Sequence, residues 1–202
     1  MTSIPPIAGQ KPHSFTHHGV TVSDPWHWLK DPGYPNVTDK EILAYLEAEN
    51  AYFEEQMAEH SSLRDRIFEE IKGRIKEDDS AVPWKEGEFM YRWRFDKGGE
   101  YRIWSRRPVA GGDESVILDE PSDAGDAEYY RMVALDVSRD GRLMAWSVDK
   151  SGAERFTIRV RDLESGEVLP DVLEETSGGV VWNVAGTGSS IRSSTRSGVP
   201  IA

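Results

Sequence analysis

The sequence predicts a mixed fold in which an extended N-terminal arm and two α-helices precede a meander of short antiparallel β-strands. Three observations support this fold class. The first 35 residues are rich in Pro, His and Gly, a composition typical of extended chain and turns. Apolar residues between residues 38 and 76 recur at helical spacing, and from Phe89 onward they alternate with polar residues at the period of a half-buried strand.

The arm, residues 1–37, contains the densely aromatic stretch Asp24-Pro25-Trp26-His27-Trp28-Leu29. Trp26 and Trp28 could stack on a ligand, but aromatic side chains in a terminal segment more commonly anchor it to another surface. His17-His18 could belong to a metal site, but no third ligand follows at a familiar spacing. We therefore interpret the arm as a structural element.

Two helices are expected over residues 38–76. Thr38, with Glu41 three residues later, has the pattern of a capping box for the first helix, and Ser61 or Ser62 can cap the second. The apolar positions of the first helix are Ile42, Leu46, Phe53 and Met57. Those of the second, at successive i+4 steps, are Leu63, Ile67, Ile71 and Ile75. Each helix therefore has an apolar stripe that needs a surface to pack against.

Residues 77–183 are expected to form part of a β-propeller. The predicted strands are 89–95, 101–103, 116–118, 133–137, 143–148 and 156–160, separated by turn sequences such as 96–99, 138–141 and 164–166. Gly141 and Gly186 each follow a short apolar strand and lie 45 residues apart. This spacing falls within the ~40–50 residues of a four-stranded blade. Together these features favour a β-propeller over a β-sandwich.

Composition excludes several function classes. The chain has 36 acidic and 24 basic residues and a net charge of -12, so it would repel the phosphate backbone of a nucleic acid. The absence of cysteine excludes disulfides, thiolate zinc sites and a cysteine nucleophile. No signal peptide is readable in residues 1–10, and no run approaches the roughly 18 apolar residues of a membrane span. We therefore expect a cytoplasmic protein with no nucleic-acid or membrane partner.

The sequence predicts no catalytic, cofactor-binding or metal-ligating residue, and no cofactor. The nucleophile motif G-x-S-x-G of α/β-hydrolases does not occur, and all five histidines lie within the first 60 residues, whereas in that fold the catalytic histidine follows the serine. Glu77-Asp78-Asp79 is better interpreted as an exposed loop after a helix than as a cation site. Gly186-x-Gly188 lacks the third glycine of a dinucleotide-binding fingerprint.

Several segments together resemble the prolyl oligopeptidase family, and within it the oligopeptidase B branch. Residues 18–20 and 24–31 are similar to the family's N-terminal arm, and ILAYLEAENAY at 42–52 is similar to its first helix. The most diagnostic segment is EEIKGRIKEDDSAVP at 69–83. Two further matches are LMAWSVD at 143–149 and LPD at 169–171. The resemblance extends from about residue 12 to about residue 183.

This resemblance implies a two-part serine peptidase. In the family, the arm and helices pack on a C-terminal α/β-hydrolase domain, and a seven-bladed propeller caps the active site and admits only short peptides. Members of this branch cleave after Arg and Lys. Because the family's catalytic serine, aspartate and histidine lie in the hydrolase domain, none can be assigned here, and we expect the chain alone to be inactive. The implied partners are that hydrolase domain and, in the intact enzyme, short basic peptides.

The last segment, residues 184–202, departs from the pattern of a blade. The resemblance stops after Asn183, and residues 189–197 form a Ser/Arg-rich run without strand alternation. We expect this tail to be out of frame or disordered, and a frameshift is our hypothesis for its origin. Resequencing the gene from Trp182 onward tests it.

Two alternatives remain open at the level of sequence. The chain could be a stand-alone binding module that uses part of a propeller for protein contacts. It could also be one half of a split peptidase, whose activity is restored by a separately encoded C-terminal piece.

Overall fold

The computed structural model describes residues 4–182. It divides into a unit that ends at Ile75 and a unit that begins at Lys76. The first unit contains an extended arm and two helices, and the second contains two four-stranded antiparallel sheets. The fold class expected from the sequence is therefore confirmed. The predicted tail at 184–202, together with the repeat position Gly186, lies outside the described residues.

The arm contains a short hairpin that the sequence did not predict. Its strands are β1 (Ser14–His17) and β2 (Val20–Ser23). The two residues between them, His18 and Gly19, have φ angles of 51° and 78°, as a tight turn between twisted antiparallel strands requires. A 3-10 turn over His27–Leu29 follows.

The helices are α1 (Lys40–Met57) and α2 (Ser61–Lys72), joined by a 3-10 turn over Ala58–His60. The prediction that Thr38 caps α1 was wrong. The Asp39 carboxylate lies next to the first turn and accepts hydrogen bonds from the amides of Glu41 at 2.8 Å and Ile42 at 3.3 Å. The prediction of a serine cap on α2 was also wrong, because the 3-10 turn leads directly into α2 and leaves Ser61 inside the helix.

The strands of the first sheet are β3 (Trp84–Glu86), β4 (Phe89–Phe95), β5 (Arg102–Pro108) and β6 (Ser115–Asp119). They lie in the order β3-β4-β5-β6, and each pair is antiparallel. A short helix, α3 (Glu120–Ala124), follows β6 and is capped by the Asp119 carboxylate, which accepts a hydrogen bond from the Ser122 amide at 2.9 Å.

The strands of the second sheet are β7 (Arg131–Val137), β8 (Leu143–Asp149), β9 (Phe156–Asp162) and β10 (Val168–Thr176). They repeat the arrangement of the first sheet, with the order β7-β8-β9-β10. One four-stranded antiparallel meander is the repeating unit of a β-propeller, so the two sheets have the architecture of two successive blades. The structural repeat is longer than the 45-residue offset expected from Gly141 and Gly186, since β4 begins at Phe89 and its counterpart β8 begins at Leu143.

The two sheets share one hydrophobic core. Its buried members are Tyr91, Ile117, Leu118, Ala124, Tyr130, Met144, Trp146 and Val148. Because side chains alternate along a strand, Ala145 of β8 and Ile158 and Val160 of β9 form a second cluster on the other face of the second sheet. Val180, from the segment after β10, completes that cluster. The second sheet is therefore packed on both faces.

Candidate functional site

Helix α2 presents an apolar face to solvent. None of its residues is buried, and the exposed fractions of Leu63, Ile67 and Ile71 are 44%, 46% and 57%. We call this surface the α2 apolar face; its members are Leu63, Ile67, Phe68 and Ile71. An exposed apolar patch of this kind marks an interaction surface in a folded protein. The i+4 spacing in the sequence predicted this stripe at Leu63, Ile67 and Ile71, but its fourth expected member, Ile75, lies beyond the end of α2 at Lys72.

Helix α1 buries a different stripe from the one expected. Ile42 is buried and Met57 is half-buried, but Leu46 and Phe53 are exposed. The more protected positions lie about three to four residues apart on the side of Tyr45, whose ring makes an edge contact with Trp28 of the arm. The arm therefore contacts α1 on the side of Tyr45.

Trp28 anchors the arm. Its indole Nε1 donates a hydrogen bond to the Gly9 carbonyl oxygen at 2.7 Å, and the Lys11 ammonium lies 4.5 Å from the centre of its ring. Lys11 also forms an ion pair with Glu41 of α1 at 2.6 Å. Trp26, by contrast, is 48% exposed. The anchoring interpretation of the tryptophan pair is thus confirmed for Trp28.

Asp31 organises the turn that leads into α1, a role that sequence reasoning missed. Its carboxylate accepts hydrogen bonds from the amides of Gly33 at 2.6 Å, Thr38 at 3.2 Å and Asp39 at 3.3 Å. The Gly33 amide is the main reason that the pKa of Asp31 lies below its usual value, and partial desolvation opposes it. The signal in the sequence was Asp-Pro-Gly, because Asp commonly accepts hydrogen bonds from amides two residues further along a turn.

The residues considered as metal ligands do not converge. His17 and His18 belong to the exposed hairpin turn, and Asp79 is tied into the chain by its own hydrogen bonds, which include one from the Ser80 amide at 2.9 Å. Among residues 4–182, no three His, Asp or Glu side chains are grouped so as to hold a metal ion. Gly186 and Gly188 lie outside the described residues. No helix in the described part of the chain has the length and apolar character needed to cross a membrane.

In the second unit, two arginines connect the sheets. Arg106 of β5 donates from Nη1 to the main-chain oxygen of Gly141 in the turn between β7 and β8. Arg161 of β9 donates from Nη1 to the Ile117 carbonyl oxygen of β6 at 2.8 Å. Because the two contacts join different pairs of strands, they fix the spacing of the sheets at two separate places.

Comparison with known proteins identifies what this arrangement is similar to. The profile of the family described as "Prolyl oligopeptidase, N-terminal beta-propeller domain" matches residues 5–188. The chain is 35% identical to dipeptidyl aminopeptidase BI of Pseudoxanthomonas mexicana over 199 residues, an alignment that covers 90% of this chain and 27% of that protein.

Two solved structures are similar to the chain in three dimensions. Oligopeptidase B from Leishmania major matches with a TM-score of 0.76 and 27% identity, over 94% of this chain and 30% of that one. Oligopeptidase B from Trypanosoma brucei, in a closed form with covalently bound antipain, matches with a TM-score of 0.70 and 30% identity, over 89% of this chain and 27% of that one. The chain therefore spans less than a third of the length of these relatives.

Proposed function

Because the chain belongs to the family of prolyl oligopeptidase N-terminal β-propeller domains, we propose that it is the N-terminal portion of a serine-type oligopeptidase that cleaves short peptides after Arg or Lys. The arm, residues 1–37, and the helices, residues 38–76, would pack on an α/β-hydrolase domain. Residues 77–183 would form about two blades of a propeller that covers the active site.

The observation that carries this proposal is the α2 apolar face. Fully burying one aliphatic side chain contributes roughly 1.5–3 kcal/mol of favourable free energy. Burying several exposed apolar side chains against a partner would therefore strongly favour association. Phe68 and Ile71 are 59% and 57% exposed. The family relationship suggests an α/β-hydrolase domain as the partner that covers this face. The segment that most resembles oligopeptidase B, residues 69–83, overlaps the same face.

The two sheets support the propeller part of the proposal. They have the same strand order and share one core, as neighbouring blades do. The net charge of -12 favours the approach of cationic peptides over anionic ones, which agrees with a substrate that presents Arg or Lys.

Catalysis is expected to require the hydrolase domain. No serine of the chain has a glycine two positions before and two positions after it, and the last histidine is His60. The residues of a Ser-Asp-His triad in the order used by α/β-hydrolases would therefore come from outside this sequence. The chain by itself should hydrolyse none of the peptide substrates.

Co-expression with a hydrolase domain tests the proposal. The chain would be produced together with the C-terminal portion of dipeptidyl aminopeptidase BI that this chain does not match, and complex formation would be followed by size-exclusion chromatography. We expect the two to co-elute and the complex to cleave short substrates that present Arg or Lys before the scissile bond. Substrates with Pro at that position should be poor.

A pair of variants makes the test specific to the α2 apolar face. Ile67→Asp places a carboxylate within the face and should abolish co-elution. Ser62→Asp introduces the same group on about the opposite side of α2 and should leave the complex intact. Equal binding by both variants would show that the hydrolase domain docks elsewhere. Co-elution without hydrolysis would retain the docking but reject restored activity.

A further inference from the structure

The second unit contains a cleft that the proposed function does not use. It has a volume of about 420 Å³ and lies on the side of β8 and β9 that faces the first sheet. Three cations, Lys150, Arg159 and Arg161, line it together with Trp146, Asp123 and smaller side chains. Small-molecule sites have volumes of about 300–1,000 Å³, so the cleft can hold one compact ligand.

The strand register explains why the cations converge. Trp146 of β8 pairs with Arg159 of β9, and Met144 pairs with Arg161. Because alternate residues of a strand point to the same face, Arg159 and Arg161 lie side by side on the face that holds Trp146. Phe156, Ile158 and Val160 point to the opposite face, where they are buried.

The positive charge of the cleft is not neutralised by direct ion pairs. Within residues 4–182, the three cations form no ion pair with a carboxylate within 4.0 Å. Lys150 donates instead to the main-chain oxygen of Asp123. The Asp123 carboxylate accepts from neutral donors, the Tyr130 hydroxyl at 3.1 Å and the Trp146 indole Nε1 at 3.4 Å. A chain of net charge -12 thus has a local excess of positive charge here.

Two parts of the cleft are already held in place. The Arg161 guanidinium is fixed by its bond to the Ile117 carbonyl oxygen at 2.8 Å and lies 5.4 Å from the centre of the Trp146 ring. Trp146 itself is 1% exposed. Arg159 is exposed and retains its donors for a ligand. A guanidinium presents a planar fork of donors that matches the oxygens of a phosphate or carboxylate.

We propose that this cleft binds a small oxyanion ligand, with a phosphate or carboxylate group held by Arg159 and supported by the charges of Lys150 and Arg161. The valines of the lining, Val148 and Val168, would contact a compact apolar body attached to that group. None of the lining residues of the cleft belongs to the α2 apolar face, the surface proposed to bind the hydrolase domain.

Isothermal titration of the full 202-residue chain tests the proposal. The probes are inorganic phosphate, phenyl phosphate and benzoate, with benzyl alcohol as an uncharged analogue. We expect phenyl phosphate or benzoate to bind at one site, and benzyl alcohol not to bind. Preference for phenyl phosphate identifies the ligand as a phosphate, and preference for benzoate identifies it as a carboxylate.

Variants locate the site. Arg159→Ala removes the exposed fork and should weaken binding about ten-fold or more, as expected for loss of a charge-assisted hydrogen bond. Lys150→Gln should weaken it to a smaller degree. Arg107→Ala makes the same change in net charge at an exposed position of β5 and should leave the affinity unchanged. No binding by any of the anions, or equal weakening by Arg107→Ala and Arg159→Ala, would overturn the proposal.

Discussion

The Nη1 atom of Arg106 donates a hydrogen bond to the main-chain oxygen of Gly141 and so joins the two sheets near the start of β8. The guanidinium lies 4.1 Å from the centre of the Phe89 ring. The same ring occupies the space beside Gly141, where an added Cβ would come within 2.8 Å of its Cε2 atom. Only a residue without a side chain leaves room for this contact, and Gly141 also has a φ angle of +73°.

Replacing Arg106 should destabilise the second unit. Arg106 is 8% exposed, so Arg106→Met keeps much of its apolar contact but leaves the Gly141 oxygen without its donor. We expect the free energy of unfolding to fall by about 1–3 kcal/mol, measured by urea denaturation followed by tryptophan fluorescence. The control is Arg107→Met, because Arg107 is the exposed neighbour on the same strand. Its effect should be within about 0.5 kcal/mol, and equal losses would show that the buried contact contributes nothing.

Asp149 stabilises the turn between β8 and β9. Its side chain is almost fully buried, at 1% exposure. The carboxylate accepts hydrogen bonds from the Ser151 hydroxyl at 2.7 Å, from the Ser151 amide at 2.8 Å and from the Glu154 amide at 2.8 Å. Burial favours the neutral acid, but these hydrogen bonds outweigh it, so the pKa of Asp149 lies below its ordinary value.

This lowered pKa makes the stability dependent on acid pH. A carboxyl group whose pKa is lower in the folded state stabilises the fold fully above its unfolded value, near 4, and loses that contribution as the pH falls through the folded value. Asp149→Asn removes the charge and replaces one of the two acceptor oxygens with an NH2 group, which faces hydrogen-bond donors. We expect a loss of about 1–3 kcal/mol at pH 7 and a smaller loss at pH 3.

Thermal or urea unfolding at both pH values measures the difference. Asp126→Asn serves as the control, because Asp126 is exposed and its replacement should leave the pH dependence of the wild type unchanged. If the Asp149→Asn and wild-type stabilities declined in parallel between pH 7 and pH 3, Asp149 would not be the group responsible.

The strands that pack on both faces were the most predictable part of the fold. Phe156, Ile158 and Val160 alternate in the sequence and are all buried, because period-2 alternation and burial have the same physical origin. Strand β3, Trp84–Glu86, was missed because its three residues are all exposed and therefore show no alternation. The short helix α3 was missed for a similar reason, since five residues are too few to show helical periodicity.

The candidate surfaces were predictable only in part. The spacing of Leu63, Ile67 and Ile71 predicted an apolar stripe, but whether a stripe is covered depends on tertiary contacts that periodicity does not contain. In β9, the alternation of Thr157, Arg159 and Arg161 was a readable signal for one polar face. The cleft itself needed the pairing of β9 with β8, which places Trp146 beside those arginines.

The start of α1 offers a direct test of the capping residue. Asp39, and not Thr38, accepts hydrogen bonds from the first helical amides. Asp39→Ala should therefore destabilise α1 by about 1 kcal/mol, whereas Thr38→Ala should have little effect, because loss of a capping side chain costs about 0.5–2 kcal/mol. Far-UV circular dichroism during thermal unfolding measures both. The opposite order of effects would restore the capping box that the sequence predicted.

The two tryptophans of the arm should differ in their effect on its attachment. Trp28 donates to the Gly9 oxygen at 2.7 Å and contacts Tyr45 of α1, so Trp28→Ala removes both contacts and releases the segment before α1. Trp26 is 48% exposed, and Trp26→Ala should leave the arm in place. Limited trypsin digestion reads this out at Lys30, which ends the 3-10 turn that contains Trp28 and whose amide donates to the His27 carbonyl oxygen at 3.1 Å. We expect cleavage after Lys30 several-fold faster in Trp28→Ala than in Trp26→Ala or the wild type, because local opening exposes the peptide bond to the protease. Equal cleavage rates in the two variants would mean that the hairpin and the Asp31 turn hold the arm without Trp28.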